Sequence, residues 1–154
     1  MIVLTAQFLP VGIASSLAFI SLGGGLYEFS VVDPFWPRRF EIVQPARGGI
    51  NRKRFWIPAH VAFELALITA LVATWSIAEV RFWLLAALAS HAVMRIWSAI
   101  DFIPKALAFE RADAATMSEA EARKWTRRSM LRLPLDLITC GAMLMAVVRA
   151  AQLT

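Results

Sequence analysis

Reactive and charged residues are scarce in this chain. Its 154 residues include one cysteine, one tyrosine and two histidines, and Asp, Glu, Lys and Arg together make up only 18%. The single cysteine, Cys140, excludes an intramolecular disulfide and every Cys-x-x-Cys metal motif. Lying inside an apolar run, it reads as a small packing residue. So little charge excludes a disordered chain. There is no internal repeat, no low-complexity tract and no collagen-like glycine period. No Lys or Arg precedes the first apolar run, so the basic segment that opens a secretory signal is missing and the run is expected to stay as a first membrane span.

Apolar residues are abundant instead. They make up 59% of the chain, and mean hydropathy is +0.62. A soluble domain of this size would have too little polar surface to cover such a core. The expectation is an all-α integral membrane four-helix bundle forming a single domain over residues 1–154. Four stretches approach the roughly 20 apolar residues that a bilayer requires: about 2–32, 55–77, 82–109 and 131–148. Asp33-Pro34 and Pro37 end the first, because proline cannot continue the hydrogen-bond ladder. Gly48 and Gly49 mark a turn in the first connection, and Phe35, Trp36 and Phe40 beside Arg38 and Arg39 suggest that it lies on the membrane surface. Ser118-x-x-Glu121 fits a capping box, so helix should begin there and run into the fourth span, with Pro134 as a kink point.

The net charge of +5 is distributed between spans, which points to topology rather than nucleic acid. Arg38, Arg39, Arg47, Arg52, Lys53 and Arg54 fill the first connection. Lys105, Arg111, Arg123, Lys124, Arg127, Arg128 and Arg132 flank the third, whereas the other side has Arg81 and Arg149. The positive-inside rule then puts both basic connections in the cytoplasm and both termini outside. Trp56 and Trp125 are expected at the inner interface, and Trp75 and Trp83 at the outer one.

Ionisable residues inside a bilayer are costly and suggest a site. At about 1.5 Å of rise per residue, Glu28, His60, Asp101 and Arg132 lie roughly 6–7 Å from the inner interface, Glu64, Arg95 and Asp136 roughly 12–15 Å, and His91 roughly 21 Å. His60 and Glu64 share a helix face, as do His91 and Arg95. The expected arrangement pairs Glu64 and Asp136 with Arg95, with His60, Asp101, Glu28 and Arg132 meeting at a shallower level. Four acids against two arginines leave a surplus, to be met by protonation, water or a metal. A metal held by His60, Glu64, His91 and a further acid is one alternative, because imidazole and carboxylate are suitable ligands. The candidate catalytic residues are Glu64 or His91 as the base and Arg95 as oxyanion partner. Tyr27, Glu28, His60, Trp97, Asp101, Trp125, Arg132 and Asp136 are the candidate substrate-binding residues. Each also has a structural reading, above all Glu64 and Arg95 as an interhelical ion pair. Gly23-Gly24-Gly25 fits close helix contact.

Four segments carry a family likeness: GGGLYEFSVVDPFW at 23–36, FWIPAHVAFELAL at 55–67, MRIWSAIDFIPKALAF at 94–109 and EARKWTRRSMLRLPLDL at 121–137. In order and spacing they resemble the anthrone-oxygenase-like family of small four-span membrane proteins. That resemblance implies a four-helix bundle and, from its fungal members, oxidation of anthrones to anthraquinones by oxygen without a dedicated redox cofactor. Trp125 and Arg132 match the family pattern at the entry to the fourth span, while Ser129 stands where the pattern has His. Lys105 and Ala106 replace an Asn pair after Pro104. A second comparison, with four-span glutathione- and eicosanoid-metabolising enzymes, extends to length, orientation and basic first connection only, since position 61 is Val rather than their Asn.

Three functions follow as expectations. The first is an oxygenase-like enzyme acting on a lipophilic aromatic or quinone-like substrate in a polar pocket of the cytoplasmic half, lined by His60, Glu64, His91, Arg95 and Asp101. The second is a non-catalytic accessory or binding subunit, and the third a proton or small-solute carrier, for which four spans are few and the outer half offers no polar path. Membrane lipid, a lipophilic small molecule and further copies or subunits are the expected partners, and nucleic acid is not.

Overall fold

A computed structural model describes residues 2–113 and 116–152, with side chains from Phe8 onward; Met1, Ala114, Ala115, Leu153 and Thr154 lie outside the described residues. The described residues form helices and turns with no strand. Helix α1 spans Ile2–Tyr27, α2 Lys53–Ala73, α3 Ala78–Trp97, α4 Ile103–Arg111, α5 Glu119–Ser129 and α6 Leu133–Ala151. Single π-turns extend α1 through Glu28–Val32 and join α3 to α4 through Ser98–Phe102. A short 3₁₀ turn, Met130–Arg132, joins α5 to α6. The result is four helical rods long and apolar enough to cross a membrane: Phe8–Val32, Lys53–Ala73, Ala78–Arg111 and Glu119–Ala151.

The rods run up and down in a ring in which α1 packs on α2, α2 on α3, α3 on α6 and α6 back on α1. Their buried stripes recur at helical spacing: Val11, Ala14, Ala18 and Leu22 on α1, Phe63, Leu67, Ala70 and Leu71 on α2, and Val80, Leu84 and Ala87 on α3. On α6 the stripe is Cys140, Met143, Ala146 and Ala150. Alanines dominate because lipid offers no hydrophobic drive for association, so helices gain by dispersion when small residues let backbones approach. Large side chains such as Leu65, Val72, Phe82 and Ile100 point outward instead, as suits a surface solvated by lipid.

Helix boundaries follow local chemistry. The Ser118 hydroxyl accepts the Glu121 amide at 3.4 Å, which confirms the N-terminal cap of α5. Pro134 sits in the first turn of α6, where its missing N–H costs nothing, directly after the 3₁₀ turn. Pro10 and Pro58 lie inside α1 and α2. At the tight α2–α3 turn, Arg81 donates to the Trp75 carbonyl at 2.5 Å and lies over that indole.

The first connection departs from the surface-lying segment expected. It winds through three short 3₁₀ turns into a second core at the basic end of the bundle. Trp36 is fully buried there, with Phe109, Trp125 and Phe40 rings at 5.2, 5.8 and 6.3 Å. Phe35 alone of the expected surface aromatics is open, at 60% exposure. Gln44 fastens the segment: its buried Nε2 donates to the carbonyls of Phe109 at 3.0 Å and Ala112 at 2.9 Å, satisfying the frayed end of α4. The turn needs both glycines. Gly48 has φ +85°, and a Cβ on Gly49 would collide with the Glu41 and Ile42 carbonyls. Two tryptophans expected in the aromatic belts also turn inward. Trp125 is buried in the second core, and Trp83 packs on the first.

Candidate functional site

Between the two cores lies a cavity of about 420 Å³, within the range that holds a drug-sized molecule. All four rods contribute. The end of α1 and its π-turn supply Gly25, Glu28 and Phe29, with Asp33 just beyond. The start of α2 supplies Arg52, Lys53, Trp56, Ile57 and His60. Met94, Arg95, Ser98 and Phe102 come from α3 and its π-turn, Ile103, Leu107 and Glu110 from α4, and Trp125, Ser129, Arg132, Leu133 and Asp136 from the fourth rod. Gly25 keeps the wall thin, since a Cβ there would meet Leu133 at 3.3 Å.

Glu28 joins α1 to α2. One of its oxygens accepts from Arg52 Nη1 at 2.9 Å and the other from the Trp56 indole at 2.6 Å. Arg52 is itself buried, with its guanidinium against the faces of Trp36 and Trp125. His60 stacks on Trp56, and its Nδ1 has no partner. Lys53 and Glu110 form a 2.6 Å ion pair from α2 to α4. Arg132 donates to Ser98 Oγ at 2.9 Å and to the Ser129 carbonyl at 3.2 Å, and lies 4.5 Å over the Phe102 ring. Asp33 accepts the Trp36 indole N–H at 2.9 Å. Burial, helped by the Glu28 charge, pushes its carboxyl up to about 6, while the Trp36 hydrogen bond and Arg52 oppose the rise.

Of the residues expected to form the site, Glu28, His60, Arg95, Trp125, Arg132 and Asp136 line the cavity. Glu64 and Arg95 pair at 3.0 Å across α2 and α3, as equal depth on adjacent rods implies. The other groupings differ. Glu64 does not line the cavity, and neither does His91, which has an acid at its own level because its Nε2 lies 3.2 Å from the Glu64 oxygen that Arg95 holds. Asp136 does not join Arg95. Asp101 lies off the wall, paired with Arg128 and with Lys105 at 3.2 Å. Tyr27 is 60% exposed, and Trp97 packs behind Phe102 at 5.4 Å. Among the described residues, no three His, Cys, Asp or Glu side chains are placed to hold a metal ion. A cation on the shared Glu64 oxygen would also face the Arg95 guanidinium.

The expected surplus of acid disappears. Arg52 compensates Glu28, and Arg128 with Lys105 compensates Asp101. No family model, curated protein or solved structure matches the chain. Its site therefore rests on its own geometry, and that geometry contains residues which sequence reasoning missed. Arg52 was legible in principle, since Arg52, Trp56 and His60 recur every fourth residue on one face. The same spacing links Phe102, Ala106 and Glu110, which all line the cavity. Asp33 had no such signal, because only the inward fold of the first connection buries it.

Proposed function

We propose that the chain is an integral membrane protein whose cavity binds a lipophilic aromatic or quinone-like molecule and acts on it as a cofactor-independent oxygenase. The observation that carries this reading is the wall itself. Trp56, Phe102 and Trp125 form its aromatic lining, and His60 and Arg95 stand in the same wall. His60 replaces Glu64 and His91 as the candidate base, because it lines the cavity and its ring is held by no hydrogen bond, whereas Glu64 is held by two partners. His60 would take a proton from a phenol or an activated methylene. The electron pair left behind would settle on the substrate oxygen, stabilised by a neighbouring guanidinium. With oxygen as oxidant, the methylene and O₂ give a carbonyl and water. Both basic connections face the cytoplasm in this reading, which places the cavity in the cytoplasmic half of a bacterial inner membrane, with both termini outside. The resemblance to anthrone-oxygenase-like proteins agrees with it.

Oxygen uptake with a hydroxyanthrone, using purified protein in nanodiscs, tests the proposal. His60→Ala should lower turnover about 10²-fold or more, and Arg95→Gln should lower it without changing the fold. Unchanged turnover in both folded variants would remove the enzyme reading. A second reading, a non-catalytic accessory subunit, is favoured by the ion pairs Glu28–Arg52 and Glu64–Arg95, each of which fixes one helix against another. Copurification of the intact chain with a partner subunit, and no turnover, would support it.

A further inference from the structure

Arg52 Nη2 and Trp125 Nε1 have no partner but are fully buried, so neither meets the cavity space, and the open donor on the wall belongs to Arg132. Arg132 spends Nε and Nη1 on a serine carbonyl and a hydroxyl, and its Nη2 makes no hydrogen bond. Arg132 is also the one cavity-wall cation without a carboxylate partner among the described residues. Arg52 pairs with Glu28, Lys53 with Glu110 and Arg95 with Glu64. Asp136 sits one turn along the same wall, but no ion pair joins it to Arg132. A cavity-lining guanidinium with a donor to spare and no carboxylate partner is suited to an oxygen atom supplied from elsewhere. An ionised oxygen suits it best, because a charge-assisted hydrogen bond to a guanidinium is about twice as strong as a neutral one.

Part of the cavity wall is apolar. Ile57 on α2 and Ile103 on α4 line it and remain 59% and 41% exposed. The cavity thus reaches the lipid-facing surface between α2 and α4, with the Lys53–Glu110 pair at the rim. About 420 Å³ accommodates an aromatic head but not a long chain as well. Resting on the cavity reading above, we infer that the ligand is an acidic amphiphile: an aromatic carboxylate or phenolate whose anionic oxygen meets Arg132 and whose hydrocarbon tail leaves between Ile57 and Ile103 into the bilayer.

Native mass spectrometry of the purified chain in detergent micelles, titrated with para-decylbenzoate and with its methyl ester, tests this. The acid should bind saturably at one site, at least tenfold more tightly than the ester. Arg132→Gln should remove that preference. Asp136→Asn should tighten acid binding several-fold by deleting the nearby negative charge, an effect that a merely structural Asp136 would not produce. Ile57→Trp should weaken acid and ester together by crowding the opening. If Arg132→Gln fails to fold, Arg132→Lys keeps the test alive, since it retains the charge but loses the guanidinium fork and should weaken the acid selectively. Equal binding of acid and ester would overturn the head-group assignment and leave the cavity reading standing. No saturable binding of either would overturn both.

Discussion

Asp33→Asn should make the protein more stable at pH 8 and leave it little changed at pH 4. Asp33 is 8% exposed, and its pKa is pushed up to about 6 by burial and by Glu28. A folded value above the ordinary 3.8 means that the folded chain holds the proton more tightly than the unfolded one. The favourable contribution is therefore complete below about 4 and lost as pH rises through about 6. The gap corresponds to about 3 kcal/mol of burial cost carried by the ionised side chain above that window. An Asn keeps the oxygen that accepts the Trp36 indole N–H and carries no charge to bury. Thermal unfolding in detergent, followed by tryptophan fluorescence, should show the variant's midpoint raised by roughly 5–10 °C at pH 8. The difference should shrink through the interval from pH 6 to pH 4. A variant destabilised equally at both ends would refute the argument, because it would mean that the carboxylate is held by its partners rather than penalised by burial.

Two further perturbations address the connection and the topology. Gln44→Leu strands the half-buried Phe109 and Ala112 carbonyls that its amide now satisfies, at about 1 kcal/mol for each lost hydrogen bond. Denaturant or thermal melts should show that loss, and proteolysis should open the 36–50 segment first; an unchanged melt would mean that water replaces the amide freely. Cysteines placed at exposed Ala46 and Gln152, with Cys140 replaced by Ala, should react with an impermeant maleimide from opposite sides of the membrane. Reaction from one side would reject the four-span topology, and reaction of the Ala46 cysteine rather than the Gln152 cysteine in intact cells would reject the orientation. Gly49 is unsuitable for such labelling, since any Cβ there meets backbone.

The rods were legible in the sequence because lipid imposes one rule on each of them, an apolar length, and that rule leaves a strong trace. The pairing of Glu64 with Arg95 was legible too, since antiparallel neighbours place equal depths side by side. What escaped was the inward fold of the first connection. Its aromatics and arginines look the same in sequence whether they lie on a headgroup layer or close a core. Only tertiary contacts, such as Gln44 on α4 and Arg52 over Trp36, separate the two. The charge count failed for the same reason. Arg52 was assigned to a solvated basic run, so Glu28 looked uncompensated, and a balanced wall read as an acidic one.

The two π-turns have a consequence for how this chain tolerates change. In each, an amide reaches back five residues: Asp33 N–H to the Glu28 carbonyl, and Ile103 N–H to that of Ser98. Geometrically each turn is a one-residue insertion absorbed without breaking the rod. At 3.6 residues per turn, one residue rotates everything beyond it by about 100°. The turns therefore act as clutches between the alanine-rich packing of the spans and the aromatic end that closes the cavity. Either side can drift in sequence while the other keeps its register. Excising one residue, Val31 or Ile100, would re-engage the ladder and swing Asp33 or Phe102 out of the wall, changing the shape of the cavity without altering any residue that lines it.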